Sequence, residues 1–241
     1  IKTVKEAYYA TTSFVDAQIG RVLKKLKETG LDKNTIIIFT SDHGEMLGER
    51  GLWFKQSLLE GSIRVPLIMR IPGGNYIRGK HFSTPISLLD LMPTLVEIAS
   101  DSKEFEYVES IQGHSLLPLI NSKEKSEEPI VLSEYSAEGT YAPCLMIRKG
   151  RYKYIYCETD PELLFDLVSD PDELDNLAQN TAFSRILHEM HKEVLKVWDP
   201  EKYRLNALAS QKRQWFIQRV MSETTPNLWV YQPTNNAKEK Y

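Results

Sequence analysis

The chain is poor in cysteine, with two residues in 241, Cys144 and Cys157. Two cysteines make no disulfide framework, so burial and hydrogen bonding have to hold the fold. Cys144 lies in an apolar run and reads as a buried core thiol. No apolar run approaches the roughly 18–20 residues of a membrane helix. Neither sign of charge dominates: 30 Lys and Arg stand against 33 Asp and Glu, a formal net charge of -3. That excludes a globally basic nucleic-acid binder and gives no footprint for an acidic membrane surface. "KTVK" and "KKLK" are solvated helix faces. Histidine is also scarce, with five residues. "HEMH" sets His188 and His191 one helical turn apart, but it is not the HExxH pattern, and a solvated face is expected. His81 and His114 fall in loops and take a structural reading. There are no internal repeats.

What is present is α/β grammar. Val4, Tyr8, Phe14, Val15, Ile19, Val22 and Leu26 fall near helical spacing and predict a helix over 4–29. Lys24, Lys25 and Lys27 load its last turn, and Gly30 follows as a stop. "TIIIFT" has the density of a fully buried strand, the kind found in parallel sheets. "RVPLIMRI" (64–71) is a second strand, closed by "PGG". "SLLDLMPTLVEIA" (87–99) is a helix begun by Ser87, with Pro93 at a kink or in the first full turn. Past residue 129 the pattern shifts to short strand-like runs. "RKGRYKYI" predicts a hairpin with Gly150 at the turn, and a helix is predicted over 183–198. The expected division is an α/β part over 1–128, a smaller α+β unit with an antiparallel sheet over 129–200, and a tail over 201–241, helical at first.

The chemistry concentrates in "SDHGEMLGERGLWFK" (41–55), directly after the first strand. α/β proteins place ligand sites at the carboxyl ends of their strands. Asp42 offers a hard oxygen ligand and His43 a nitrogen. Gly44 permits the turn that aims both inward. Lys55 supplies a fixed positive charge for an anion. The plain alternative is a polar turn after a core strand, and Asp-His alone does not decide between them.

The longer segment "TIIIFTSDHGEMLGERGLWFKQSLLEGSIRVPLIMRIPG" resembles the C-terminal half of type I sulfatases of the alkaline phosphatase superfamily. "YYATTSFVDAQIGRVLKKLKETGL", "ISLLDLMPTLVEIA" and "IQGHSLLPLI" fit the same family. "SEYSAEGTYAPC" and the tail with "LWVYQP" are similar to its choline sulfatase branch. The resemblance implies an alkaline-phosphatase-like α/β sandwich followed by the small α+β domain. It implies that Asp42 and His43 hold a divalent cation, Ca²⁺ in most of the family, with Mg²⁺ or Mn²⁺ as alternatives. Imidazole is softer than the ligands Ca²⁺ usually takes. Lys55 would then hold sulfate oxygens. For a choline sulfate substrate, Glu134 and Glu138 are candidate carboxylates and Trp229 and Tyr231 candidate aromatics for the quaternary ammonium. The plain readings are surface charge for the first two and apolar pegs of a docked tail for the others.

The family's nucleophile is a formylglycine made from Cys or Ser in C/S-x-P/A-x-R. None of the Cys or Ser residues here sits in that motif; "CLMIR" at Cys144 has Met where Pro or Ala is required. The formylglycine is therefore expected in an N-terminal half of the same polypeptide, as are further metal ligands. The chain opens at Ile1 inside a helical pattern, in keeping with that expectation. Alone it is expected to be inactive and, with half a sheet, sticky. The resemblance further implies a small-molecule sulfate ester as partner and a homo-oligomer built through the tail. It favours the cytoplasm, with a periplasmic location open because a leader would precede Ile1. Two alternatives stand beside sulfate-ester hydrolysis: phosphodiester or phosphonate monoester hydrolysis, and a non-catalytic interaction or oligomerisation fragment.

Overall fold

A computed structural model describes residues 1–73, 78–100, 107, 110–121, 129–136 and 139–223. The chain divides into two compact units, Ile1–Val197 and Trp198–Tyr241. In the first, helix α1 (Lys2–Glu28) leads through Gly30, at φ 72, into strand β1 (Ile37–Thr40). A tight hairpin follows, β2 (Met46–Leu47) and β3 (Trp53–Phe54), then the one-turn helix α2 (Glu60–Ile63) and strand β4 (Leu67–Arg70).

The parallel-sheet expectation for "TIIIFT" is corrected here. β1 pairs antiparallel with β4, Ile37 opposite Arg70 and Thr40 opposite Leu67. The two strands form a sheet of their own among the described residues. It is not fully buried either: Phe39 and Ile68 are exposed. A dense apolar strand reads alike whether its second face is covered or open, because periodicity reports the side chains and not what packs on them. α1 shows the same openness. Its apolar stripe, including Val4, Phe14, Val15 and Val22, stays exposed.

A 3₁₀ turn (Leu88–Asp90) starts at Ser87 as expected and leads into helix α3 (Leu91–Ala99). The Ser87 hydroxyl accepts from the Leu89 N–H, and Asp90 accepts from the Ser87 N–H at 2.8 Å, a reciprocal cap that satisfies two early donors. Pro93 sits in the first turn, where its missing N–H removes no helical bond. A single turn, α4 (Leu117–Ile120), precedes the second sheet.

That sheet is an antiparallel meander of β5 (Ile130–Tyr135), β6 (Cys144–Lys149), β7 (Tyr152–Cys157) and β8 (Leu163–Asp166), paired in sequence order. The β6–β7 turn holds Gly150 at φ 56, the left-handed conformation a two-residue hairpin needs. Period-2 alternation divides the inner strands cleanly. Leu145, Ile147, Tyr154 and Leu164 are buried on one face, where helix α5 (Ser184–Val197) packs with Met190 and Val194. Cys144, Met146, Ile155, Cys157 and Phe165 are buried on the other, packed with Met46, Leu58 and Leu59 from the hairpin and α2 region. Each large side chain so buried contributes about 1.5–3 kcal/mol. The sheet thus carries the loops that follow β1 on its back.

The second unit contains α6 (Pro200–Ser222). Asp199 accepts from the Lys202 N–H at 3.0 Å, and Pro200 occupies the first turn. No described residue of this helix is buried, and Trp215 and Phe216 are exposed.

At the β6–β7 turn, Arg151 Nε donates to Asp166 Oδ1 at 2.7 Å, and its Nη2 donates to Oδ2. That forked contact, helped by Ser169 and the Val168 N–H, holds the Asp166 carboxyl at about 2, against an ordinary 3.8. A depressed carboxyl stabilises the fold above its unfolded pKa and loses that contribution as pH falls through its folded one. Arg151→Ala should therefore lower stability at pH 6, by an amount limited by the solvent exposure of the guanidinium. The gap between wild type and variant in chemical-denaturation midpoints should close between about pH 4 and pH 2. A gap that persists at pH 2 would remove the ion pair as its cause.

Candidate active site

The strand β1 ends at Thr40, and the next three residues form a tightly bonded turn. Ser41 Oγ donates to the His43 carbonyl at 2.8 Å. The His43 N–H donates to Asp42 Oδ1 at 3.0 Å. That backbone donor, with the neighbouring imidazole and Ser41, holds the Asp42 carboxyl below its usual range, so it is an exposed anion at neutral pH.

His43 Nδ1 lies 2.7 Å from the Gly44 carbonyl. A carbonyl only accepts, so the proton of the neutral ring is on Nδ1 and Nε2 presents a lone pair. Lys55 Nζ, which only donates, sits 3.0 Å from that Nε2. Both contacts call for the same tautomer.

Lys55 arrives there by a strained route. The β2–β3 hairpin pairs Met46 with Phe54 and Leu47 with Trp53, reversing the chain over Gly48 at φ 99. Arg50 and Phe54 also have positive φ, 54 and 67, which costs about 1–3 kcal/mol each for residues with a Cβ. Phe54 immediately precedes Lys55. Two outside contacts tie the hairpin down. Lys5 reaches Glu49 at 3.0 Å, and the Arg50 guanidinium lies 5.4 Å from the centre of the Phe165 ring.

Gly44 is held by close passage. Its N–H donates to the Ser62 carbonyl at 2.6 Å, and a Cβ placed on it would stand 2.1 Å from the Gly61 oxygen. No side chain fits there. The sequence suggests a turn glycine at this position; the reason is contact with α2.

Asp42 Oδ2 and His43 Nε2 lie 3.4 Å apart. Cation–oxygen bonds of about 2.3–2.6 Å at right angles set neighbouring ligands roughly 3.3–3.7 Å apart, so the pair fits one shared divalent cation of calcium size. Two donors remain short of the six to eight that Ca²⁺ takes. Asp42, His43 and Lys55 line a cleft of about 1550 Å³, and Glu134, an exposed residue of β5, stands in its wall. Lys80, Arg64, Arg78 and Arg148 also line it. Cations outnumber acids along the cleft, which favours an anionic ligand. Glu138, Trp229 and Tyr231 lie outside the described residues, as does the segment after 223 assigned to oligomer contacts.

A second donor group is Cys144, Cys157 and Asp160, whose ligand atoms lie within 4.8 Å of one another. Burial pushes the Cys144 thiol up to about 12, so it stays protonated and behaves as the core thiol expected. With two buried thiols among its three donors, this set does not match the hard cation suggested by Asp42. The solvated-face reading of "HEMH" needs correction for His191. Its Nδ1 lies 2.9 Å from the Tyr154 hydroxyl and 3.2 Å from Glu162, and its ring meets Tyr156 edge-on at 5.2 Å. Turning toward the sheet gives the imidazole aromatic and polar partners that a solvated face lacks.

Comparisons with known proteins identify the family. Residues 3–102 match the family model described as Sulfatase. The whole chain aligns with the choline-sulfatase of Rhizobium meliloti (strain 1021) at 41% identity, covering 46% of that protein. Arylsulfatase K of Gallus gallus is 37% identical over 74% of this chain and 34% of its own length. The crystal structure of phosphonate monoester hydrolase of Agrobacterium radiobacter superposes with a TM-score of 0.67 at 28% identity, covering 76% of this chain and 38% of that one. The chain spans less than half the length of these relatives. Asp42, His43 and Lys55 all fall inside the matched family segment, and the chain, with its alkaline-phosphatase-like α/β fold, belongs to the sulfatase family.

Proposed function

We propose that the full polypeptide hydrolyses sulfate esters, choline sulfate first among them, and that this chain supplies one side of the active site. The observation that carries the reading is that Asp42 Oδ2 and Lys55 Nζ both stand close to one imidazole nitrogen, His43 Nε2, at 3.4 and 3.0 Å. Asp42 and His43 hold the divalent cation, and a bound cation supplies Lewis-acid activation and charge neutralisation at the reacting group. Lys55 neutralises negative charge on the sulfate oxygens, where it counts most as charge develops. The Nε2 lone pair serves one partner at a time. With Nε2 committed to a cation, Lys55 would be free to meet the substrate anion. Glu134, in the wall of the same cleft, is the carboxylate proposed to meet a quaternary ammonium. The reading places the formylglycine in the rest of the polypeptide, since no Cys or Ser here lies in C/S-x-P/A-x-R. Choline sulfate is favoured by the 41% identity to a choline-sulfatase along the whole chain.

Phosphonate or phosphodiester hydrolysis is the second reading, favoured by the superposition on a phosphonate monoester hydrolase. The same cation pair and lysine suit a tetrahedral phosphorus centre, so geometry on this side of the site does not separate them.

Lys55→Ala in the full-length polypeptide should lower kcat/KM on choline sulfate by about 10²-fold or more. Steady-state rates on choline sulfate and on a phosphodiester, compared in wild type, assign the reaction class; a clear preference for the phosphodiester would overturn the choline sulfate assignment.

Cation binding gives a separate check by calorimetry. Asp42→Asn and His43→Ala should each weaken it by about tenfold or more, as loss of a ligand charge or donor does. Lys55→Ala should leave it as tight as in wild type or tighter. Cation binding that weakens in Lys55→Ala as it does in His43→Ala would show that the lysine does not compete for Nε2.

A further inference from the structure

Lys153 has a side chain with no exposed surface, in a strand otherwise filled with aromatic and aliphatic residues. It points to the same face of the sheet as Ile155 and Cys157, the face that carries the site loops. A fully buried ammonium needs carboxylates, and it has two. Nζ lies 3.0 Å from Glu60 Oε1 and 2.7 Å from Glu173 Oε1. The second contact is an ion pair without hydrogen-bond alignment, which leaves Glu173 Oε1 with no aligned donor. Arg148, directly opposite Lys153 in the β6–β7 register, adds a longer contact to Glu60 at 3.7 Å. Two cations and two carboxylates balance.

The carboxylates belong to different parts of the chain. Glu60 opens α2. Glu173 lies past β8, is 2% exposed and has φ 57, a strained backbone for a residue with a Cβ. Its other oxygen, Oε2, accepts the Glu60 N–H at 2.7 Å. Glu173 thus grips the first residue of α2 by its backbone while Lys153 grips the same residue by its side chain. Two residues on, the Ser62 carbonyl accepts the Gly44 N–H at 2.6 Å. The Gly44 carbonyl in turn accepts His43 Nδ1–H at 2.7 Å.

We propose that Lys153, with Glu173, is a positioning device for His43: the buried ion cluster fixes α2, and α2 fixes the peptide that aims Nε2 into the site. The inference rests on the reading of Asp42, His43 and Lys55 as a cation-dependent ester-hydrolysis site. The coupling is short and made of hard contacts. α2 cannot move toward the loop, because Gly44 already lies within van der Waals contact of the Gly61 oxygen. It cannot rotate freely, because Gly61 is itself packed under Met46, whose sulfur would stand 2.6 Å from a Cβ there. Removing the ammonium leaves buried Glu173 beside a Glu60 that keeps only the longer Arg148 contact, and like charges drive Glu60 away from Glu173. The turn of α2 has to follow, and with it the Gly44 carbonyl. Lys153 touches no reacting atom, so its effect has to appear as misplacement of His43.

The test uses the full-length polypeptide with Ca²⁺, Mg²⁺ or Mn²⁺ as the binding probe. Lys153→Met should weaken cation binding by about tenfold and lower kcat by a similar factor, with KM changed less. Glu173→Gln keeps the side-chain shape and an oxygen for the Glu60 N–H, and should show the same effects at smaller size; it carries the test if Lys153→Met does not fold. Arg151→Ala is the control, since it weakens the same sheet without touching α2. It should lower Tm and leave cation affinity and kcat unchanged. The proposal is overturned if Lys153→Met and Glu173→Gln behave like Arg151→Ala, losing Tm alone. If wild type hydrolyses no ester tested, the functional reading fails, and cation affinity still decides whether Lys153 positions His43.

Discussion

The passage of Gly44 against α2 is the constraint on which the site depends. At this point two backbones come close enough that Gly44 tolerates no Cβ, while a Cβ on Gly61 would meet the Met46 sulfur. A hydrogen bond of 2.6 Å from the Gly44 N–H to Ser62 fixes the approach, and the Gly44 carbonyl is left pointing at His43 Nδ1. One residue therefore does two things. Its N–H anchors the loop, and its C=O decides which imidazole nitrogen is free. The tautomer of His43 follows from backbone packing rather than from a neighbouring acid. A carboxylate at that position would raise the basicity of the ring; a peptide carbonyl orients it with less electronic effect.

The antiparallel sheet beyond residue 129 gains a functional meaning from this arrangement. Small appended sheets are easily treated as decoration. Here one face takes α5 and closes its own core, and the opposite face is shared with Met46, Leu58 and Leu59. Those three residues bracket the stretch that carries Lys55 and leads into α2. The sheet is rigid for ordinary reasons, four paired strands with alternating burial. It transmits that rigidity to a loop that has little regular structure of its own. The strained backbone at Phe54 and Arg50 is held in the same way, by contacts made elsewhere.

Much of this was legible in the sequence, and the rest has physical reasons for being hidden. α1, the Ser87 cap, the Gly150 hairpin and α5 follow from local chemistry, and local chemistry is what a sequence displays. The polar turn at Asp42 and His43 was visible because an acid and a histidine interrupt a β-branched run. Lys55 could be singled out as a cation of the same loop, but its contact with His43 was not legible, because a hairpin with unusual φ values brings it there. The antiparallel partner of β1 was not legible, since pairing direction leaves no mark on a dense apolar strand. Lys153 was the missed clue. A charged residue in phase with Ile155 and Cys157 had to be either snorkelling or paired inside, and the two cases differ only in the third dimension. His191 was missed for the same reason: its partners, Tyr154 and Glu162, are 37 and 29 residues away.

The unfinished surfaces and the unfinished ligand set have the same form. α1 presents an uncovered apolar stripe, β1 and β4 leave Phe39 and Ile68 open, and the cleft wall carries more cations than acids. Each is a half of something physically complementary: apolar surface wants cover, and clustered cations want an anion. Asp42 and His43, proposed to hold a cation and 3.4 Å apart, would likewise define an edge of a coordination sphere and not the sphere. All these features lie in the first unit, and the relatives extend to more than twice the length aligned here. The ion cluster around Lys153 is the exception, because its charges are matched within the described residues. Its charges balance, its donors and acceptors come from β6, β7, α2 and the segment after β8, and it needs nothing further to form. An arrangement finished in this way can fix α2, and through Gly44 the direction of His43, before any remaining ligand or substrate arrives. That is the physical sense in which one side of an active site is preorganised.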